Sequence, residues 1–272
     1  MDKHLVLLSG GFDSVIAILD LYRDTVMTEG EEEAWSKILP LFIKHPYRSQ
    51  ARESEIASRI STRLSLKLIV VDGRAYNYDR GSRQHEIDML EIAPVIAAKE
   101  GATKVLFGED VGCDRDSLEE YQRVTEPGAL ILAGADDYYK EHGFDLEYVA
   151  QFEMRRMEIL KTHANAFYDY GLSPIWDTYS CFSIVGKDQE CGGCWKCFRK
   201  YMTCRSVLPR ESVLPRFKNE PLSVKNIRKL RKLLAIAEAN PKVFGDEPEA
   251  YALHDFRDMW KVVLEDMDKV DK

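Results

Sequence analysis

Short, unbroken apolar runs recur through the first part of the chain, and they constrain its fold more than any other feature. Leu5-Val6-Leu7-Leu8, Ile38-Leu39-Pro40-Leu41-Phe42-Ile43, Leu68-Ile69-Val70-Val71 and Lys104-Val105-Leu106-Phe107 each have the length and character of a strand buried on both faces. Between them the apolar period lengthens to that of a helix. Val15, Ile16, Ile18, Leu19 and Tyr22 form one such face, Ile56, Ala57, Ile60 and Leu64 lie on a helix over 51–64, and 87–100 reads as a third helix. Glu31-Glu32-Glu33 reads as an acidic turn ahead of the second strand. This alternation predicts an α/β fold, a doubly wound parallel sheet with helices on both faces. Such sheets bind ligands outside the carboxyl ends of their strands, where the strand order reverses.

Ser9-Gly10-Gly11-Phe12-Asp13-Ser14 falls at that kind of place, between the first strand and the first helix. Glycines lack a Cβ, so backbone amides there can close on an anion, and the unpaired amides of a helix N-terminus favour negative charge. The segment therefore reads as a phosphate seat. A tight turn with Asp13 or Ser14 capping the helix is the alternative reading of the same residues.

A second constellation lies late in the chain, in TYSCFSIVGKDQECGGCWKCFRKYMTC. Cys181, Cys191, Cys194 and Cys197 follow the spacing C-x9-C-x2-C-x2-C, and Gly192-Gly193 frees the turn that closely spaced ligands require. Four thiolates close tetrahedrally on Zn2+ and leave no open position, so a structural zinc is expected. Buried thiols without metal, or a redox pair at Cys194 and Cys197, are the other readings. Cys204 reads as a small buried apolar residue and Cys113 as a lone thiol.

Composition narrows the class. The 272 residues are 45% hydrophobic, enough for a sizeable core, which favours one large domain with an appendage. The net charge of −8 argues against a sequence-blind nucleic-acid binder and leaves a local basic patch open. A small substrate is favoured. After Met1-Asp2-Lys3-His4 the apolar stretch is only Leu5–Leu8, so no export signal is expected. No run approaches the roughly 18 apolar residues that span a bilayer, so no membrane partner is expected either. A reducing, cytoplasmic location fits the clustered cysteines.

The segment Ser9-Gly10-Gly11-x-Asp13-Ser14 after an N-terminal hydrophobic strand resembles the PP-loop of the N-type ATP pyrophosphatases. These enzymes split ATP into AMP and pyrophosphate to activate a carboxylate or carbonyl oxygen. Combined with Thr178-Tyr179-Ser180-Cys181 and the later Cys191, Cys194 and Cys197, the chain is similar to the 7-cyano-7-deazaguanine synthases of the deazapurine (queuosine) pathway, over roughly residues 4–204. The resemblance implies an adenine nucleotide alpha hydrolase-like fold with a four-cysteine zinc subdomain. It also implies an AMP-forming ligase that activates an acid or amide oxygen and then amidates or dehydrates it. ATP, Mg2+, ammonia and a deazapurine-like acid are the implied cofactors and partners.

Carried over residue by residue, Ser9, Gly10, Gly11 and Ser14 hold the pyrophosphate portion and Asp13 lies near its Mg2+; Arg48, Arg83 and Arg156 are candidate charge-stabilising groups, Arg48 at the nucleotide. Asp13, Ser14 and Arg156 are the implied catalytic set, Arg156 standing where the family has a lysine ahead of a Glu-Ile pair. Arg83, Asp110 and Asp114 are the substrate candidates. These last segments depart from the family. His45-Pro46-Tyr47-Arg48 replaces a Gly-Gln-Arg-His type segment, an Arg-Asn pair is missing near Arg83, and Glu109–Asp116 replaces an Asn-x-x-Asp stretch. Surface salt bridges for the three arginines and solvated acids for the two aspartates remain open readings.

The expected organisation is an ATP-binding domain over 1–172, a zinc subdomain over 173–205 and a helical extension over 206–272. The extension carries the amphipathic basic segment SVKNIRKLRKLLAIAEAN and an acidic helical tail, which reads as a cap on the core or a self-association surface making a homo-oligomer, in preference to RNA binding. Two alternatives to the synthase stay open. One is an ATP-dependent modifier of RNA or protein, by thiolation or deazapurine attachment. A thiolase would need a free cysteine, and zinc at the four clustered thiols leaves only Cys113 and Cys204. The other is a catalytically idle nucleotide-binding interaction module.

Overall fold

The computed structural model describes residues 2–45, 50–73, 88–108, 135–150, 156–181, 189–239 and 251–267. Its centre is a five-stranded, all-parallel sheet: β1 (His4–Leu7), β2 (Ile38–Lys44), β3 (Ile69–Asp72), β4 (Lys104–Phe107) and β5 (Glu147–Ala150), in the order β3-β2-β1-β4-β5. The chain starts in the middle, steps outward to β3, and returns to the other side of β1 with β4. The order therefore reverses between β1 and β4, where the loops at their carboxyl ends part.

Alternating side chains split the strands between two cores. Val6, Ile38, Phe42 and Leu106 join one buried cluster, while Leu5, Leu7, Leu41, Ile43 and Val105 join the other. The continuous apolar runs are thus explained by burial on both faces. Pro40 is tolerated in the central β2 because β2 meets β3 only from Leu41 onward, leaving Pro40 paired on the β1 side alone.

The first cluster is covered by α1 (Phe12–Glu29), α3 (Gln50–Arg63) and α6 (Arg156–Asp169). The opposite face carries α4 (Ala93–Glu100) and α5 (Ala135–Glu141). Between α1 and β2 the acidic stretch forms a short helix, α2 (Glu31–Lys37), and not a turn. Gly30 at φ 100° breaks the chain from α1, and Glu31, Glu32 and Glu33 then sit at the positive end of the new helix. The helix expected over 87–100 opens with a π-helical turn, Asp88–Ile92, before α4. Pro94 lies in the first turn of α4 and offers no N–H to the preceding turn, which widens accordingly. Strand β5, Glu147–Ala150, has an apolar run of only Tyr148-Val149-Ala150, too short to announce it.

The later segments pack on the same sheet face. Helix α7 (Trp195–Arg205) is followed by a single turn, α8 (Arg210–Val213), then α9 (Val224–Ala239) and α10 (Tyr251–Met267). Phe198, Tyr201, Leu230, Leu233, Phe256 and Val263 share one continuous buried cluster with Phe12 and Ile16 of α1, so the C-terminal helices cap the core. Cys204 lies in that cluster, fully buried. Asp255 of α10 accepts from the Met157 N–H at the start of α6, satisfying a donor that the helix itself leaves open. No described helix is long and apolar enough to cross a membrane.

Candidate functional site

The loop after β1 is built by its glycines. Gly10 adopts φ +76°, and a Cβ there would lie 2.8 Å from the Glu53 carbonyl oxygen at the start of α3. Gly11 is the N-cap of α1 in extended conformation, and no side chain caps the helix. Neither Asp13 nor Ser14 takes the capping role that the alternative reading gave them. Instead Ser14 Oγ donates to the Gly11 carbonyl at 3.1 Å and lies 3.0 Å from Ser9 Oγ, which also accepts from the Gly11 N–H at 3.3 Å. The two hydroxyls tie the loop across its base.

Strand β4 ends against the same turn. A Cβ on Gly108 would sit 2.6 Å from the Asp13 carbonyl oxygen and 2.9 Å from the Ser14 Cα. Only glycine fits without displacement. Thus Ser9, Gly10, Gly11, Asp13 and Ser14 converge at the N-terminus of an 18-residue helix, in the crevice where strand order reverses. Gly108 was legible in the sequence only as the residue ending a strand.

The remaining nucleotide and substrate candidates divide. Arg48, Arg83, Asp110 and Asp114 lie outside the described residues, as does Cys113. Arg156 is the first residue of α6, and its side chain is also outside them. At the carboxyl end of β2, His45 Nε2 lies 2.9 Å from Asp88 Oδ2, both buried. No spacing or motif pairs two residues so far apart in the chain.

The second constellation assembles fully. One sulfur from each of Cys181, Cys191, Cys194 and Cys197 lies within 4.8 Å of every other, so the four come close enough to hold a metal ion such as zinc. Cys191 and Cys197 sulfurs are 3.7 Å apart, close to the roughly 3.8 Å edge of a tetrahedron with zinc–sulfur bonds of about 2.3 Å. Cys194 caps α7, its sulfur accepting from the Cys197 N–H at 3.4 Å, while Cys181 accepts from the Cys191 N–H at 3.3 Å. No disulfide joins the described cysteines.

Gly192 makes the knuckle possible. It adopts φ +75°, and a Cβ would lie 1.9 Å from the Asn219 carbonyl oxygen. Asn219 in turn donates from Nδ2 to the Cys191 carbonyl at 2.7 Å. Hydrogen bonds from the Cys181 and Cys197 thiols pull Cys194 down to about 4, and the same network pushes Cys197 well up. A soft cation replacing those shared protons satisfies all four sulfurs at once, so the donor set fits Zn2+.

Beneath the knuckle lies a charge cluster that sequence reasoning missed. Glu190, Lys200 and Arg216 are each fully buried. Glu190 Oε1 accepts from Lys200 Nζ at 2.5 Å and from Arg216 Nε at 3.2 Å. Lys200 and Arg216 both donate as well to the Thr178 carbonyl, at 2.7 and 2.9 Å. Burial lowers the Lys200 ammonium below its ordinary value, against the pull of the Glu190 carboxylate. The available signal was the spacing of Lys200, one helical turn after Cys197 and so on the buried face of α7.

No family model matches the chain, and no curated protein matches it in sequence.

Proposed function

We propose that the protein is an ATP-dependent, AMP-forming ligase that activates a carboxylate or amide oxygen, acting like a 7-cyano-7-deazaguanine synthase, with a structural zinc at Cys181, Cys191, Cys194 and Cys197. The observation that carries the reading is the Ser9–Ser14 loop: a glycine turn at the sheet's reversal point, with its amides at an uncapped helix N-terminus and backbone from α3 and β4 packed against it. That arrangement suits pyrophosphate. The sequence resemblance supplies the chemistry.

In this reading a substrate carboxylate oxygen attacks the α-phosphorus of ATP, and the bond to pyrophosphate breaks. Ammonia then displaces AMP to give the amide. A second ATP activates the amide oxygen, and loss of AMP and protons leaves the nitrile. The first-turn amides of α1 hold the leaving group, and the Ser9 and Ser14 hydroxyls keep the turn in shape, Ser9 by accepting from the Gly11 N–H. Asp13, in the first turn of α1, would hold the Mg2+ that accompanies ATP, and that ion would supply charge to stabilise the departing pyrophosphate. Zinc at four thiolates has no open position and shapes the fold around the loop.

The test is mass spectrometry of a reaction with ATP, Mg2+, ammonium and 7-carboxy-7-deazaguanine. Amide or nitrile together with AMP and pyrophosphate supports the reading. Folded, zinc-loaded protein that forms no AMP with this acid rejects the substrate.

A further inference from the structure

One peptide unit joins the cysteine knuckle to the glycine loop. The Thr178 carbonyl oxygen accepts from both buried cations, Lys200 and Arg216, and the Tyr179 N–H of the same peptide donates to the Gly10 carbonyl at 2.9 Å. The next amide, Ser180 N–H, approaches Glu190 Oε2 at 3.4 Å, and Cys197 Sγ lies 3.8 Å from that oxygen. Arg216 is further held over the Trp176 ring, 5.3 Å from its centroid. A short chain of contacts thus runs from a metal-ligand sulfur to the carbonyl of the loop's left-handed glycine.

Charge explains why the contacts should depend on the metal. Glu190 brings one negative charge to its two buried cations. Zinc held by four thiolates is a dianion, so a loaded centre adds negative charge beside the cluster. Buried cations keep their places at less cost beside opposite charge. Two cations on one carbonyl oxygen also polarise its peptide and strengthen the hydrogen bond that its N–H makes to Gly10.

We infer that Lys200 and Arg216 are positioning residues that couple the Cys181, Cys191, Cys194 and Cys197 centre to the glycine loop through the Thr178–Tyr179 peptide, so that metal loading sets how firmly the loop is held. Calling that loop a nucleotide site rests on the proposed function; the coupling itself does not.

Amide hydrogen exchange on the full chain, without ATP, tests it. In zinc-loaded Lys200→Met protein the Tyr179 amide should exchange roughly ten- to a hundredfold faster than in the parent, the scale of losing a charged hydrogen bond, while α1 amides such as Ile18 keep their rates. Lys200→Arg, which keeps the cation, should restore most of the protection. Stepwise chelation of the parent should accelerate Tyr179 in proportion to zinc lost. A Tyr179 rate indifferent to zinc removal while α7 amides speed up overturns the coupling. So does acceleration of Ile18 in step with Tyr179, which means global unfolding. If Lys200→Met does not fold, chelation and Lys200→Arg still decide. Absence of AMP formation would sink the proposed activity and leave this coupling standing, whereas a zinc-indifferent Tyr179 would do the reverse.

Discussion

Gly108 closes on Asp13: a Cβ at the first would lie 2.6 Å from the carbonyl oxygen of the second. Strand β4 and helix α1 therefore meet by backbone alone, at the point where the sheet changes direction. Gly108→Ala must push either β4 or the first turn of α1 aside. The expected cost is about 1–3 kcal/mol, as for overpacking at a rigid site, with ATP binding weakened more than in a core variant of equal stability. Denaturant unfolding and nucleotide titration on the same sample check this. Unchanged ATP affinity in a destabilised protein would separate Gly108 from the loop.

Asp13→Asn should preserve the fold, because Asp13 does not cap α1 and the helix begins at a glycine N-cap. Pyrophosphate release should nevertheless fall by about two to three orders of magnitude, as when one group stabilising a developing charge is removed. Circular dichroism alongside a pyrophosphate assay separates the two effects. Wild-type release from the folded variant would remove Asp13 from the chemistry.

Much of the architecture was legible because burial on two faces leaves apolar runs that only a covered parallel sheet accommodates. Val6 and Leu7 point into different cores, and no amphipathic strand would show both. The cysteine knuckle was legible from spacing, and Gly192 from the turn it has to make. The Glu190, Lys200 and Arg216 cluster was not, because charged residues read as solvent-facing until their partners are known, and Arg216 is brought to Glu190 across 26 positions. Strand β5 was hidden because its apolar run is only three residues long, and Glu147–Ala150 is held at the edge by pairing with β4. Of the two readings of the basic amphipathic segment, the cap on the core fits α9, whose Leu230 and Leu233 lie in the central cluster.

The thiol centre predicts about one zinc per chain, since four sulfurs within 4.8 Å of one another can close on a single ion. Cys194→Ser removes both a ligand and the cap of α7. Because metal-binding free energy at such a site is also folding free energy, the variant should lose zinc and several degrees of melting temperature, roughly 2–4 °C for each kcal/mol lost. Elemental analysis and calorimetry report both. Full stability in zinc-free, reduced protein would show that the thiols pack without metal.

The last helix should carry an acid-sensitive lock. Asp266, fully buried near the end of α10, accepts from Arg205 at 2.8 and 3.1 Å and from the Tyr201 hydroxyl. Burial opposes its ionisation, but the hydrogen bonds from Arg205 and Tyr201 outweigh that and hold its carboxyl below the ordinary range. A carboxyl depressed in the folded state contributes stability that is fully present above its unfolded value and is lost as pH falls through the folded one. The contribution should therefore be intact at neutral pH and fade only below about pH 4. Protonation would leave Arg205 without its carboxylate, so α10 should loosen first. Trp260 lies on α10 under Arg231, 4.9 Å from its ring centroid, and its fluorescence reports that step. Asp266→Asn should reproduce the loosened state at neutral pH, destabilise by about 3–5 kcal/mol as a broken buried pair does, and remove this part of the acid transition. An acid midpoint identical in the variant and the parent would show that α10 is held by Phe256, Met259 and Val263 alone.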